Sequence, residues 1–236
     1  MRKLSFTSLL LLVVSLLFVP AASAHTGGKA IATQTEEEIV IDGDLSDAAW
    51  ATATPVYIVP SLVPVWQQFN THLSIGTPPR NDEDISGIFY FLWDTENLYF
   101  AGRVNDDVVL GEGDPWQQDG VELFLDVAHQ GMAGRQIFIN PKGGENGDRF
   151  TVSVPEAEVA GQLVDGGYCF EVKFPLGALN IKPAIGKVIG MDIQVDDKDK
   201  VGQREKAIVW SGGDNMDWNT PSIFGDLVFG GPFEEM

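Results

Sequence analysis

Two tryptophans occur in segments that are otherwise polar and loop-like. Trp116 lies in DPWQQD and Trp218 in GGDNMDWNTPS, whereas apolar neighbours typical of a core surround Trp50, Trp93 and Trp210. An indole ring in a polar loop offers a flat apolar surface beside hydrogen-bonding groups, which is the combination that an uncharged sugar ring requires. The two rings could equally pack against their own loops, and residue type alone does not decide between these interpretations.

Recognisable catalytic motifs are absent from the sequence. It contains no HExxH motif, no serine-centred nucleophile elbow and no Cys–His nucleophile motif. The 34 Asp and Glu residues are too numerous for a catalytic pair to stand out, since a glycosidase needs two carboxyl groups at a fixed separation. A solvated acidic surface is the simpler interpretation, and the sequence therefore predicts that the chain is not an enzyme.

The charge balance limits the choice of partners. The formal net charge is −19 at pH 7, which repels nucleic acids and anionic membranes, so neither is an expected partner. Acid-rich loops do suit hard cations such as calcium; Asp106 and Asp107 follow one predicted strand, and Asp119 precedes another. Cys169 is the only cysteine, so stability must come from a packed core rather than from an intrachain disulfide.

Residues 1–24 have the features of a secretory signal peptide. Arg2 and Lys3 precede the apolar run LLLLVVSLLFV, and small residues end at Ala24. The run is shorter than the roughly 20 apolar residues of a membrane-spanning helix. We predict cleavage after Ala24 and a secreted or periplasmic protein that has no membrane association afterwards. Residues 25–38 are polar and aperiodic, which predicts a flexible mature N-terminus.

Cleavage would make His25 the first residue, a position that can bind copper in a histidine brace. Such a site needs at least one more well-placed histidine, and only His72 and His129 are present besides it. Because His25 lies in a segment predicted to be flexible, an incidental histidine is the favoured interpretation.

From residue 39 onward, hydrophobic alternation at period two recurs at short spacing, with 26 glycines and 13 prolines as turn residues. EIVIDG predicts a strand, DLSDAAW predicts one helical turn that directs Trp50 inward, and GIFYFLWD with NLYFAGRVND predicts a hairpin. GVELFLDV sets apolar residues on one face and Glu122 on the other. We predict one all-β domain over residues 39–230, an antiparallel β-sandwich that is jelly-roll-like or immunoglobulin-like. The proline-bearing residues 55–86 predict a long insertion, a partly ordered loop over one face.

Six segments follow one another in a set order over most of residues 39–229: IDGDLSDAAW, FLWDTENLYFAGRVNDDVV, DPWQQDGVELFLD, DGGYCFEVKFPLGAL, VIGMDIQVDDKDKVGQREKAIVWS and DWNTPSIFGDLVF. In this order they resemble family 9 carbohydrate-binding modules, β-sandwich modules that are often attached to secreted xylanases. Single pieces such as LWD carry little weight, whereas the ordered set is specific.

The resemblance implies a slot in which two tryptophans enclose the terminal sugar of a xylan- or glucan-type glycan. Matched motif by motif, the walls fall on Trp116 and Trp218, and the polar contacts fall on Gln118, Glu122 and Asn215. It also implies non-catalytic binding of an oligo- or polysaccharide in support of extracellular polysaccharide catabolism, with separate glycoside hydrolases as partners.

Two further properties follow from the resemblance. An arginine of the family slot is replaced, because its position falls on Phe138, with Arg135 nearby. Structural calcium in the family falls on Asp106 and Asp119, where it would fasten the loops that hold the slot.

Two alternatives remain at this level. Some domains of the same fold hold haem and transfer electrons outside the cell. Because no CxxCH motif is present, such a haem would be non-covalent, with candidate ligands among Met132, Met191 and Met216. The chain could instead be a structural or interaction module whose slot is degenerate and whose insertion, carrying Trp66, covers or extends the old site.

Overall fold

Strands dominate the folded protein, as the period-two alternation predicts. The computed structural model describes residues 25, 27–62, 72–142, 149–211 and 220–233. The predicted signal peptide lies outside these ranges, and so do Trp66, Asn215, Met216 and Trp218. No helix within the described ranges is long and apolar enough to cross a membrane.

Thirteen strands are formed by the described residues: β1 (Lys29–Gln34), β2 (Val56–Ile58), β3 (His72–Gly76), β4 (Ile85–Trp93), β5 (Asn97–Asp106), β6 (Gly120–Asp126), β7 (Arg135–Lys142), β8 (Arg149–Val152), β9 (Glu158–Val164), β10 (Gly167–Pro175), β11 (Val188–Asp197), β12 (Lys206–Val209) and β13 (Gly225–Pro232). Short 3-10 helices span Ala48–Thr52, Pro60–Leu62, Pro115–Gln117 and Pro221–Ile223.

The strands form one long sheet that curls around its own apolar side. Its order is β8-β7-β6-β11-β13-β1-β4-β5-β10-β9, with β12 added to β11, β3 to β12, and β2 to β4. The end strands β8 and β9 pack against each other, so the sheet nearly closes and its two halves face one another across the core. The all-β prediction is confirmed.

The core agrees with the predicted alternation. Along β10, Tyr168, Phe170, Val172 and Phe174 are all fully buried on one face. Strands β6 and β11 contribute the same kind of row, and so do β4 and β5, which form the predicted hairpin. The predicted helical turn is also confirmed, since Ala48–Thr52 is helical and Trp50 is buried.

The N-terminal segment corrects the prediction of a flexible stretch over residues 25–38. Residues 29–34 form β1, which lies between β13 and β4 and runs parallel to both, with Ile31 opposite Val228 and Thr33 opposite Leu92. The other strand pairs in the described sheet are antiparallel. Because β1 is hydrogen-bonded along both edges, it can be ordered without a strong hydrophobic alternation in its own sequence.

EIVIDG is a second correction, because residues 38–43 do not form the predicted strand. The Glu171 carboxylate on β10 accepts hydrogen bonds from the amides of Asp42 (3.0 Å) and Gly43 (2.7 Å) and from Trp50 Nε1 (2.7 Å). A side chain therefore binds the backbone groups that a strand neighbour would otherwise use. Gly43 has φ +88°, a left-handed conformation that favours glycine.

The predicted insertion over residues 55–86 contains more regular structure than a loop. β2 pairs with β4, and β3 pairs with β12. Both strands are too short for periodicity to identify them in sequence.

Candidate functional site

A row of side chains that are polar apart from Phe138 lies on the side of β7, β6 and β11 that faces away from the main core. We call this surface the polar face and define it by Gln136 and Phe138 of β7, Glu122 of β6, and Gln194 and Asp196 of β11. Glu122 stands opposite both Phe138 and Gln194 in the strand register. The alternation that sends Val121 and Leu123 into the core thus delivers polar groups to this face.

Trp116 stands at the edge of the polar face, on the 3-10 helix Pro115–Gln117. Asn140 Nδ2 holds this turn by donating to the carbonyl oxygens of Pro115 and Asp119, each at 3.0 Å. Gly120 is needed beneath it, because a Cβ at this position would collide with the Asn140 amide. The Trp116 side chain is 46% exposed, and its ring centroid lies 6.2 Å from that of Phe138 with an interplanar angle of 52°.

Arg204 supplies the cation of the polar face. Its Nη1 donates to Glu122 Oε1 (3.0 Å) and to Asp196 Oδ1 (2.5 Å), while Gln136 Nε2 donates to Glu122 Oε2. Burial, followed by repulsion from Glu122, raises the pKa of Asp196 well above its usual value, whereas the Arg204 charge opposes that shift. Asp196 Oδ2 is buried without a hydrogen-bond partner.

Arg204 was not among the candidate residues identified from the sequence. It lies in the turn between β11 and β12, which pair with each other on either side of it. Arg135, the other candidate for the missing slot arginine, donates to the carbonyl oxygen of Ala178 at 2.8 Å and so has no contact with Glu122. Arg204 and Glu122 are 82 positions apart in the chain, so the spacing of residues within either segment could not reveal that they pair.

Two of the other predicted sugar contacts, Glu122 and Gln118, are buried. Glu122 is only 2% exposed, and both of its oxygens are occupied by Arg204 and Gln136. Gln118 is buried immediately after the turn that carries Trp116. The predictions for Asn215 and Trp218 fall outside the described residues.

The described residues before and after residues 212–219 contact the same face of the sheet. Ser211 N donates to Asp192 Oδ1 at 3.0 Å, and the ring of Phe224 packs against Phe124 at 5.8 Å. Asp192 and Phe124 face each other across β11 and β6, two residues along from the Gln194–Glu122 pair. Since side chains two residues apart share a face, both flanks of the segment that carries Trp218 adjoin the polar face.

Two of the methionines proposed as haem ligands, Met132 and Met191, lie in opposite environments. Met191 is fully buried in the core on β11, and Met132 is 73% exposed in the turn before β7. The buried position of Met191 leaves it no open side at which a haem iron could bind.

Asp106 and Asp119 form a buried acidic pair at the two ends of the loop that carries Trp116. Asp119 Oδ1 accepts the amide of Lys198 (2.5 Å), and its Oδ2 accepts the amide of Leu110. Burial is the main cause that raises the pKa of Asp106 to about 8. Burial, together with the charge of Asp106, raises the pKa of Asp119 to about 9.

Tyr168 brings an unpaired hydroxyl to the same place. Its Oη is buried without a hydrogen-bond partner, and its pKa is raised well above the usual value by burial and by the charges of Asp106 and Asp119. Oxygen donors are the ligands that calcium prefers, and Asp106, Asp119 and Tyr168 would supply only part of the six to eight that the ion takes.

Comparison with solved structures places the fold among known carbohydrate-binding modules. A family 9 module from Caldicellulosiruptor kristjanssonii in complex with cellotriose superposes with a TM-score of 0.64 at 23% identity, covering 86% of this chain and 94% of that one. The same organism's module in complex with glucose gives a TM-score of 0.65 at 23% identity, covering 88% and 98%.

Among curated sequences, endo-1,4-beta-xylanase A of Thermotoga maritima is 32% identical over 209 residues, and that of Thermotoga neapolitana is 30% identical over 209 residues. In each case the alignment covers 85% of this chain but only 18% of the relative. The chain thus corresponds to a small part of these xylanases.

A family model, carbohydrate family 9 binding domain-like, matches residues 41–231. Carbohydrate-binding modules bind sugars without catalysing a reaction, which supports the prediction that this part of the chain is not an enzyme. The predicted resemblance is confirmed, and the chain belongs to carbohydrate-binding module family 9.

Proposed function

We propose that the protein binds the terminal sugar of a glucan- or xylan-type glycan in a slot with Trp116 as one wall and Trp218 as the other. The observation that carries the proposal is the exposed Trp116 ring, which Asn140 fixes at the edge of the polar face. One face of a pyranose ring is apolar enough to stack on indole, while its hydroxyl groups require hydrogen bonds. The solved relatives bound to cellotriose and glucose support this choice of ligand.

The polar side of the proposed slot combines the sequence-derived contacts with those that the fold brings together. Gln118, Glu122 and Asn215 are the contacts implied by the family, and we add Arg204, which the buried Asp196 holds in place. Glu122 orients Arg204 and Gln136 through its two occupied oxygens, and its own contact with sugar stays a prediction. An arginine from the β11–β12 turn would then serve where Phe138 replaces the family's slot arginine.

The proposed setting is outside the cytoplasm. After removal of residues 1–24, the protein would act in the periplasm or extracellular space and would assist separate glycoside hydrolases in polysaccharide breakdown. Similarity to segments of xylanases supports this role. We propose further that the curled sheet is a sandwich of the jelly-roll-like kind, with the slot at its rim.

Isothermal titration of the full chain with glucose, cellotriose and xylobiose tests the proposed function. Two stacking faces and a few hydrogen bonds, offset by the cost of association, give an expected Kd on the order of micromolar to millimolar. Calcium should be present throughout. Absence of binding heat with every sugar at millimolar concentration would favour the degenerate module, and a Soret band in the purified protein would favour haem.

We propose calcium as a structural ion held by Asp106 and Asp119. These residues begin and end the loop over residues 107–118, and Trp116 lies within that loop. A divalent cation would offset the repulsion between the two carboxylates and fix the loop from beneath. Its loss is therefore expected to weaken sugar binding indirectly.

The buried pair predicts how stability depends on pH and on calcium. An aspartate in the unfolded chain has a pKa of about 4, so the folded, metal-free protein binds more protons than the unfolded chain does. The resulting stabilisation is complete below about pH 4 and is lost as the pH rises through the raised values of about 8 and about 9. In chelator, Tm should therefore fall between pH 5 and pH 9.

Calcium should reverse that fall, because it binds the ionised carboxylates. At a free calcium concentration 100 times the Kd, the gain is about 2.7 kcal/mol, measured as a rise in Tm at pH 8. Asp119→Asn should abolish the gain, whereas Asp165→Asn, at an exposed acid in the β9–β10 turn, should leave it intact. A wild-type Tm that is the same in calcium and in chelator at pH 8 would contradict the proposal.

A further inference from the structure

His25 and His129 come together although they are far apart in sequence. Their ring centroids lie 4.4 Å apart with the planes at 70°. Asp226 Oδ1 lies between them, 3.2 Å from His25 Nδ1 and 2.8 Å from His129 Nε2. One donor atom from each of the three residues falls within 4.8 Å of the other two. His25 is therefore not the incidental, flexible histidine that the sequence favoured.

The fold builds a specific place for the His25 ring. The ring is almost completely buried, stacks on Phe224 at 6.3 Å with a 14° interplanar angle, and rests against Gly190, where any Cβ would collide with the imidazole. A glycine at this point of β11 thus makes room for the histidine. Such a fit is unexpected for a loose terminal residue.

His129 is held in an unusual conformation. Its φ of +55° is in the left-handed region, which non-glycine residues rarely adopt and in which histidine is one of the more tolerated types. The turn that follows β6 is closed by the His129 amide, which donates to the carbonyl oxygen of Asp126 at 3.1 Å. This conformation points the imidazole at Asp226.

We propose that His25, His129 and Asp226 bind a divalent transition-metal ion, Zn²⁺ being the best match. Two imidazole nitrogens and one carboxylate oxygen are a common donor set for zinc, with water or another donor completing a tetrahedral site. His129 and Asp226 are part-exposed, so an ion can reach the site from solvent. All three proposed ligands are side-chain atoms, so the proposal does not depend on where the predicted signal peptide is cleaved.

Asp126 has the position of a supporting carboxylate. With His25 Nδ1 directed to the metal, the other ring nitrogen, Nε2, lies 3.3 Å from Asp126 Oδ2. That oxygen also accepts the amides of Gln130 (2.9 Å) and Gly131 (2.6 Å), so it is fixed. Metal-binding histidines almost always donate their second nitrogen to such a group, which sets the tautomer and the ring orientation.

The zinc proposal is separate from the calcium proposal and from the sugar slot. It shares no residue with either, and His25 precedes the residues matched by the family model, 41–231. The chemistry also differs, since imidazole nitrogen is a ligand for zinc and other late transition metals, whereas calcium takes oxygen ligands.

Zinc titration of the full chain, purified without a histidine tag and kept in calcium, tests the proposal by competition with a chromophoric chelator. We expect one Zn²⁺ per chain with a sub-micromolar Kd. His129→Asn and Asp226→Asn should each weaken zinc binding at least about tenfold, and Asp126→Asn should weaken it about tenfold to a hundredfold. Asparagine at position 129 tolerates the positive φ, so that variant is expected to fold.

His72→Ala is the matched control, because His72 is the remaining histidine and lies on β3, outside the cluster. It should bind zinc as the wild type does, and circular dichroism should be the same for all variants. Co²⁺ in place of zinc should give the visible absorption of a tetrahedral site in the wild type and not in His129→Asn. Zinc affinity unaffected by His129→Asn and Asp226→Asn, or no zinc binding at micromolar concentrations, would overturn the proposal.

Discussion

Replacing Trp116 with alanine is expected to weaken sugar binding by about tenfold to a hundredfold, since stacking of a planar ligand on an aromatic side chain is worth about 1–3 kcal/mol. The ring is exposed, and its turn is held by Asn140 through backbone atoms. The substitution therefore removes the stacking surface and leaves its support in place. Isothermal titration with cellotriose or glucose measures the loss.

Met132→Ala is a suitable control for the loss of exposed apolar surface. Met132 is exposed in the β6–β7 turn and should leave the affinity for sugar unchanged. Phe138→Ala, which removes the tilted ring beside Trp116, should give an intermediate loss. If Trp116→Ala bound sugar with wild-type affinity while the wild type bound it measurably, the assignment of Trp116 as a slot wall would be wrong.

Glu171→Ala is expected to cause the largest loss of stability. The carboxylate is fully buried and accepts hydrogen bonds from Trp50 Nε1 and from the amides of Asp42 and Gly43. Truncation leaves these donors without their acceptor, and two of them, the Gly43 amide and Trp50 Nε1, are buried. Each buried unsatisfied group costs about 1–3 kcal/mol. The free energy of unfolding should fall by about 3 kcal/mol or more, as measured by urea denaturation.

Glu158→Ala is the matched control on the neighbouring strand. Glu158 is exposed on β9 and makes a 3.6 Å ion pair with Lys173, a type of surface contact worth about 0–1 kcal/mol. Equal midpoints of denaturation for the two variants would contradict the role assigned to Glu171.

The features that sequence predicted correctly are those determined by neighbouring residues. Alternation along β6, β10 and β11 identified the core faces, and the turn that delivers Trp50 inward was apparent from DLSDAAW. The hairpin of β4 and β5 was equally local. In each case the side-chain pattern and the backbone conformation involve the same few residues, so those residues are sufficient to predict the element.

The features that sequence missed depend on contacts between distant segments. β1 has little hydrophobic alternation in its own sequence and is ordered by its pairing with β13 and β4. EIVIDG does not form a strand, because the Glu171 carboxylate on β10 binds the amides of Asp42 and Gly43. Arg204 reaches Glu122 across 82 positions of the chain, and His25 reaches Asp226 across 201. The hydrophobic periodicity of one segment carries no information about such pairings, because the residues next to each partner in the sequence give no sign of the distant contact.

The parallel placement of β1 has a consequence for how the protein is assembled. Lys29 stands opposite Asp226 and Thr33 opposite Leu92, so β1 joins β13, the last of the described strands, to β4. Until β13 is available, one edge of β1 lacks its partner, and the two parts of the sheet that β1 connects stay separate. Contacts of such long sequence separation form slowly, and the completed sheet is therefore expected only after the C-terminal strand has been synthesised and released.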